Sequence, residues 1–357
     1  MSAKPLVSVI ALFDRGEFEP CLSSLLKQEG VEFEIIAVAG DVQAASNFPA
    51  NALVRLLSVE KRNPAFRRNL AATHARGRYL AFIDDDAFAP ADWLRKGTAY
   101  LENNSIYAGV AGPNLCPADA GWAERLTDML LTTPLIGGGS RAYRGGGRPA
   151  PARPGEAHLV NLLVRRDWFD RVNGLNEEMG YGGEDTEFLH LLGRLGGKIM
   201  FDPSVAVFHR RRPFGLSYFR QRFFLRRQSA RLAVAYPRVY VSNPAFLAAV
   251  LALPLALVAF IFCPFLQTMI GLLSAAAVYS ALTIVLSNKA WRKRPAFLLV
   301  APPAFLMHHL VYLGGLWWGF SEAALTGPRR VRKKLKRNLD SCGMGQEAQT
   351  DKMDFTS

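Results

Sequence analysis

The stretch Arg78-Tyr-Leu-Ala-Phe-Ile-Asp-Asp-Asp-Ala-Phe-Ala-Pro-Ala-Asp-Trp93 decides the fold. Its apolar run, residues 79–83, has the length and composition of a strand and ends in three carboxylates, Asp84, Asp85 and Asp86, before a proline-containing turn. Such a strand delivers acid to its own carboxyl end. In open parallel α/β sheets ligands bind at that end, so carboxylates there are placed for chemistry. Side chains alternate along an extended chain, so Asp84 and Asp86 share a face and can grip one hard divalent cation while Asp85 points elsewhere. A bare Asp-x-Asp is also the pattern of a solvated acidic turn, and its surroundings have to decide.

Upstream, strand and helix patterns alternate. Residues 6–13 form a near-continuous apolar run, the mark of a strand buried on both faces. Phe18, Cys21, Leu22, Leu25 and Leu26 follow at helical spacing, strands are predicted at 32–39 and 54–59, and a helix over 63–75 carries Arg67, Arg68 and Asn69. This order predicts a parallel sheet with crossover helices, a Rossmann-like half-domain.

Downstream of residue 108 the regularity fades. Six glycines with Arg141 and Arg144 occupy 137–147, the composition of either a linker or a lid over a ligand. A strand is predicted at 158–165 and a helix at 167–172. Glycines at 180, 182 and 183 then hand over to a helix that opens with Glu184, Asp185 and Glu187. Acids in that position commonly serve as caps and dipole partners. A last strand, 198–201 continuing at 205–208, ends at His209.

A net charge of +13 points to an anionic partner. Its placement narrows the choice. Nine arginines and no acid lie between 203 and 241, and over 214–236 they interleave with aromatics, as in a helix at a membrane surface. Residues 244–287 contain no charge and are long enough for two spans; 295–320 is a third uncharged stretch. A basic loop at 289–294 and seven charges at 329–337 flank these stretches, which excludes nucleic acid as the expected partner. Pro302 and Pro303 are expected to break 295–320 into a re-entrant or interfacial segment, since a full third span would export the basic tail. His308 and His309 read as interfacial or packed. The four cysteines have no metal or disulfide spacing, and the N-terminus reads as a first strand with no signal peptide, so a reduced, cytosol-facing catalytic part is expected.

Together these residues resemble glycosyltransferase family 2, the nucleotide-sugar transferases of the GT-A fold, in the group with C-terminal membrane segments. The resemblance runs over residues 5–212. It is carried by Val7-Ser-Val-Ile10, Arg68-Asn69 with Ala71 and Ala72, Phe82-Ile-Asp-Asp-Asp86, Asn161-Leu-Leu-Val-Arg-Arg166 with Gly174-Leu-Asn-Glu177, and Gly183-Glu-Asp185, in that order. It implies an α/β, Rossmann-like nucleotide-sugar-binding domain at 1–212. There follow an amphipathic juxtamembrane segment at 213–243, a membrane region at 244–320 and a basic, disordered tail at 321–357.

The resemblance also implies roles. Asp84, Asp86 and His209 would hold Mg²⁺ or Mn²⁺ against the donor diphosphate, and Arg68, Asn69, Asp41 and Asp85 would contact the nucleotide. Asp185, with Glu184 beside it, would be the base that deprotonates an acceptor hydroxyl, with inversion at the anomeric carbon. Arg210, Arg211 and Arg212 would meet either the leaving group or lipid headgroups.

The family usually ends its second strand in an aspartate that reads the nucleobase; here Ala39 and Gly40 stand there and Asp41 follows, so a UDP-sugar rests on family frequency alone. The Q-x-x-R-W element of processive synthases is missing, which argues for addition of a single sugar. The expected activity is transfer to a lipid-linked acceptor in surface polysaccharide or glycolipid synthesis. It is placed at the inner (plasma) membrane, multi-pass, with the catalytic domain cytoplasmic. The alternatives are a polyprenyl-phosphate sugar synthase and an inactive sugar-nucleotide sensor or scaffold.

Overall fold

The computed structural model describes residues 4–13, 18–40, 51–60, 63–133, 140–153, 155–179, 182–237, 250–251, 265–287, 292 and 294–326. The described chain divides into two units, one of residues 4–117 and 141–210, the other of 118–140 and 211–326.

The first unit is built on an eight-stranded sheet. Its strands are β1 (Val7–Phe13), β2 (Phe33–Ala39), β3 (Val54–Ser58), β4 (Tyr79–Asp84), β6 (Gly109–Ala111), β8 (Ala150–Pro151), β9 (Asn161–Arg165) and β10 (Ile199–Phe201), in the order β3-β2-β1-β4-β9-β6-β10-β8. A second, three-stranded sheet joins β5 (Ala87–Phe88), β11 (Val207–His209) and β7 (Asn114–Leu115). The helices of this unit are α1 (Glu19–Leu26), α2 (Pro64–His74), α3 (Trp93–Asn103), α5 (Arg141–Arg144), α6 (Arg166–Arg171) and α7 (Glu184–Arg194).

The half up to β4 is parallel, as the alternation of elements requires: β1 pairs in parallel with both β2 and β4. The second half differs from the expectation of a parallel sheet, because β9 runs antiparallel between β4 and β6. All five of its residues are buried. A strand buried on both faces is uniformly apolar whichever way it runs, so its direction leaves no trace in the sequence.

One polar cluster closes the amino end of the sheet. Glu34 accepts hydrogen bonds from Ser8 Oγ at 2.7 Å, from the Arg76 backbone N–H at 2.7 Å and from Arg76 Nε at 2.8 Å. Burial pushes its carboxyl up, but these donors outweigh burial and hold it below the usual carboxylate range.

In the second unit α4 (Trp122–Thr132), α8 (Leu216–Ala235), α9 (Phe265–Leu286) and α10 (Phe297–Thr326) pack together. Leu126, Met129 and Leu130 of α4 bury against Tyr218 of α8 and Phe297, Ala301, Ala304 and Phe305 of α10. Gly315 and Gly319 bring α10 against α8: a Cβ on either would meet a backbone oxygen, of Phe223 at 2.4 Å or Arg227 at 2.5 Å. Pro302 and Pro303 do not break the segment, contrary to the sequence expectation. Phe297, Ala301, Ala304 and Phe305 bury around the two prolines, and this packing holds the backbone helical across the lost hydrogen bonds.

Among the described residues α10 is the one helix long and apolar enough to cross a membrane. A multi-pass arrangement therefore does not follow from the described residues; most of 244–264, where the first span was expected, lies outside them. Leu272, Leu273, Val278 and Val285 of α9 and Leu299 and Trp318 of α10 are exposed.

Because ionised Glu34 contributes stability above the ordinary carboxylate range and that contribution is lost as pH falls through its lowered value, thermal melting should expose it. The wild-type midpoint is expected to fall more steeply on acidification than that of Glu34→Gln, the two curves converging at low pH.

Candidate active site

The acidic site forms where β4 ends. Asp84 closes the strand, its side chain about one-third exposed, and the chain turns through Asp85 and Asp86 into β5. β5 pairs antiparallel with β11 in a register that sets His209 opposite Ala87, and Arg210 N donates to Asp86 O at 3.1 Å. That pairing brings His209 Nε2 to 2.9 Å from Asp86 Oδ1. One ligand atom each from Asp84, Asp86 and His209 lies within 4.8 Å of the others. Two carboxylates and an imidazole at this separation fit a hard divalent cation such as Mg²⁺ or Mn²⁺.

The second half of the site arrives on α7. Gly182 and Gly183 adopt left-handed conformations, with φ of 86° and 97°, and turn the chain so that the helix opens on Glu184 and Asp185. Phe188, one turn on, packs against Phe169 with tilted rings 5.4 Å apart, and Phe169 packs in the same way against Phe82 of β4 at 5.6 Å. This aromatic column fixes the start of α7 beside the end of β4. Asp185 stays half-buried, its Oδ1 accepting from Thr186 N at 2.7 Å.

Arg68 links the halves. It lies on the buried face of α2, which begins at the cap Asn63 and at Pro64. Its guanidinium donates to Asp84 Oδ1 at 2.8 Å and to Glu184 Oε1 at 3.0 Å. Burial works against the charge, but Asp84, Glu184 and Asp185 outweigh it and raise the Arg68 pKa. Burial likewise pushes the Glu184 carboxyl up, opposed by Arg68 and reinforced by Asp185 and Asp84. Beneath the strand end, Cys21 Sγ donates to Asp84 O at 3.6 Å; burial first, then the three aspartates, raise its thiol well above the usual value. It is held as an inert packing group.

Asp84, Asp86, His209, Glu184 and Asp185 thus stand in one site, with Arg68 among them. Asn69 is committed elsewhere: its amide donates to Leu175 O and Glu177 Oε1 and accepts from Leu175 N, locking the turn at 174–177. Asp85 lies in the turn, half-buried. Asp41 lies outside the described residues.

Asn161, quoted in the sequence only as the start of a motif and given no role there, is fully buried. It accepts from Trp93 Nε1 at 2.9 Å and donates to Pro113 O and Val205 O, tying β9 to the chain before β7 and β11. Its signal was a lone polar residue opening an apolar strand. Arg166 was likewise missed as a cap: its guanidinium donates to Ala72 O and Ala75 O at the end of α2.

Residues 9–161 match the family model described as Glycosyl transferase family 2. Two curated relatives align with part of the chain. An uncharacterized protein of Mycobacterium tuberculosis is 34% identical over 131 residues, 34% of this chain and 41% of the relative. The succinoglycan biosynthesis protein ExoM of Rhizobium meliloti is 29% identical over 150 residues, 41% of this chain and 44% of ExoM. The chain thus spans less than half the length of either relative. Among solved structures, the mannosyltransferase PcManGT of Pyrobaculum calidifontis, in complex with GDP-Man and Mn²⁺, aligns over 87% of this chain and 88% of its own at a TM-score of 0.56 and 16% identity. The mixed α/β fold is GT-A-like.

If Asn69 is the pin of the 174–177 turn, Asn69→Ala should destabilise the protein by about 1–3 kcal/mol in denaturant unfolding, because the turn loses three hydrogen bonds with no new partner. Nucleotide affinity should change far less than stability does.

Proposed function

We propose that the chain is an inverting glycosyltransferase that moves one sugar from a nucleoside diphosphate sugar to a lipid-linked acceptor. The observation that carries this reading is the meeting of Asp84, Asp86 and His209 with Glu184 and Asp185 at the carboxyl end of β4, in a family 2 domain. Asp84, Asp86 and His209 would hold Mg²⁺ or Mn²⁺, which when bound neutralises charge on the donor diphosphate.

The protein's own groups account for the rest. Arg68 keeps Asp84 and Glu184 from repelling each other apart before donor binds. Asp185, half-exposed at the start of α7, takes the proton of the acceptor hydroxyl. The hydroxyl oxygen then bonds to the anomeric carbon while the bond from that carbon to the phosphate oxygen breaks. The nucleoside diphosphate departs with the electron pair, and attack from the opposite face inverts the centre. Glu184, more buried and paired with Arg68, positions its neighbour.

We read α10 as attaching the chain to a membrane; its length and composition and the exposed apolar side chains of α9 and α10 support this reading. We place the catalytic unit on the cytoplasmic side. ExoM, named for succinoglycan biosynthesis, supports assembly of a surface polysaccharide as the setting. UDP-sugars are the first donors to test, with GDP-sugars beside them because PcManGT is seen with GDP-Man.

Detergent-purified protein should release nucleotide from one donor of a UDP-, GDP- and TDP-sugar panel, in the presence of Mn²⁺ or Mg²⁺ and membrane lipid extract. Asp86→Ala should abolish the release. Asp185→Asn should lower turnover about 100-fold or more while leaving nucleotide affinity near wild type. Undiminished turnover in Asp185→Asn would remove the base and favour a phosphate acceptor, which is already ionised.

A further inference from the structure

The arginine-rich helix α8 carries a second charged cluster, wholly within the second unit. Tyr218, Arg222 and Arg226 follow one another at four-residue spacing and so share a face of the helix. That face meets α10. Tyr218 Oη lies 2.6 Å from His308 Nδ1, the Arg222 guanidinium sits over the Tyr218 ring at 5.3 Å, and the Arg226 guanidinium sits over the Tyr312 ring at 4.5 Å. Gly315 makes room for this approach, since a Cβ there would meet Arg226 Cβ at 3.1 Å.

Among the described residues, no carboxylate pairs with Arg222 or Arg226. Arg222 is 9% exposed, yet among the described residues neither its Nε nor that of Arg226 has a hydrogen-bond partner. Neighbouring arginines are served: Arg227 forks onto Glu322 at 2.6 and 2.8 Å, and Arg211 meets Asp128 at 3.0 Å. The sequence shows why none remains for Arg222 and Arg226, for no Asp or Glu occurs between 203 and 321. The other acids of this unit are Asp119 and Glu124; Glu124 accepts from Gly121 N as a helix cap. A charge buried against aromatic rings with no counter-ion is costly, and beside an apolar helix of spanning length it marks a binding site.

We infer that Arg222 and Arg226, with Tyr218, His308 and Tyr312 around them, form a site for the phosphate group of a membrane lipid. A guanidinium fork suits phosphate oxygens, and the tyrosine and histidine supply further polar atoms beside it. The lipid's chains would lie along the exposed apolar face of α9 and α10, where Leu272, Leu273, Leu306 and Leu310 are uncovered. The site deepens the proposed use of a lipid acceptor but rests on that reading only for the presence of lipid.

The full chain, purified in neutral detergent and examined by native mass spectrometry with no nucleotide sugar present, tests this separately from any transfer assay. Dioleoyl phosphatidic acid should bind and uncharged dioleoylglycerol should not. Arg222→Gln with Arg226→Gln should weaken that binding about tenfold or more. Arg220→Gln, an exposed arginine of the same helix, should leave it unchanged. Arg222→Lys with Arg226→Lys should retain part of it, and circular dichroism should confirm that each variant is folded. Equal losses in Arg220→Gln and the double variant, or no loss in the double variant, would overturn the site. Inorganic phosphate competing as well as the lipid at equal concentration would overturn the lipid as its occupant.

Discussion

The buried guanidinium of Arg68 is the constraint on which the catalytic arrangement depends. It is supplied by α2, and its two acceptors come from the end of β4 and the start of α7, elements that are separate in the chain. Carboxylates gathered in one place repel, and each resists burial in its ionised form. Arg68 cancels part of that repulsion and makes the meeting of Asp84 and Glu184 favourable. Asp86 and Asp185 remain beyond that cancellation, so the site keeps a net negative charge. That residue of charge suits the cation, and with it the donor diphosphate, proposed for the end of β4.

The second unit solves a different problem with the same residue type. Its helices approach closely because α10 offers glycines to α8, and the face so buried is rich in arginine. Arg227 finds a carboxylate on α10, whereas Arg222 and Arg226 find aromatic rings. Rings attract a cation through their negative faces but do not neutralise it. The packing is therefore satisfied in shape while remaining unbalanced in charge.

Much of this was legible from the chain itself. The apolar run ending in Asp84, Asp85 and Asp86 announced a strand and a site, and the alternation before it announced the parallel half of the sheet. Gly183-Glu-Asp185 showed a helix start, but only the column of Phe82, Phe169 and Phe188 decides that this start lies beside Asp84. Pairing between β5 and β11, which delivers His209, involves strands of two and three residues, too short to show any period. The antiparallel course of β9 was hidden by its uniform burial. The grouping of residues 118–140 with the C-terminal helices was hidden because Leu126, Met129 and Leu130 find their partners far along the chain.

The two prolines of α10 carry a consequence for where that helix rests. Pro302 and Pro303 have no N–H to give, so the carbonyls of Leu298 and Leu299 lack the donors an unbroken helix would supply. Hydrocarbon cannot satisfy such oxygens, whereas headgroups and water can. Leu299 itself is 81% exposed. In the membrane attachment proposed above, the proline turn would act as a depth gauge: it would hold that end of α10 in the polar layer, on the side of Arg292 and Arg294 in the chain, and leave the remainder of the helix to measure out the apolar interior of the bilayer.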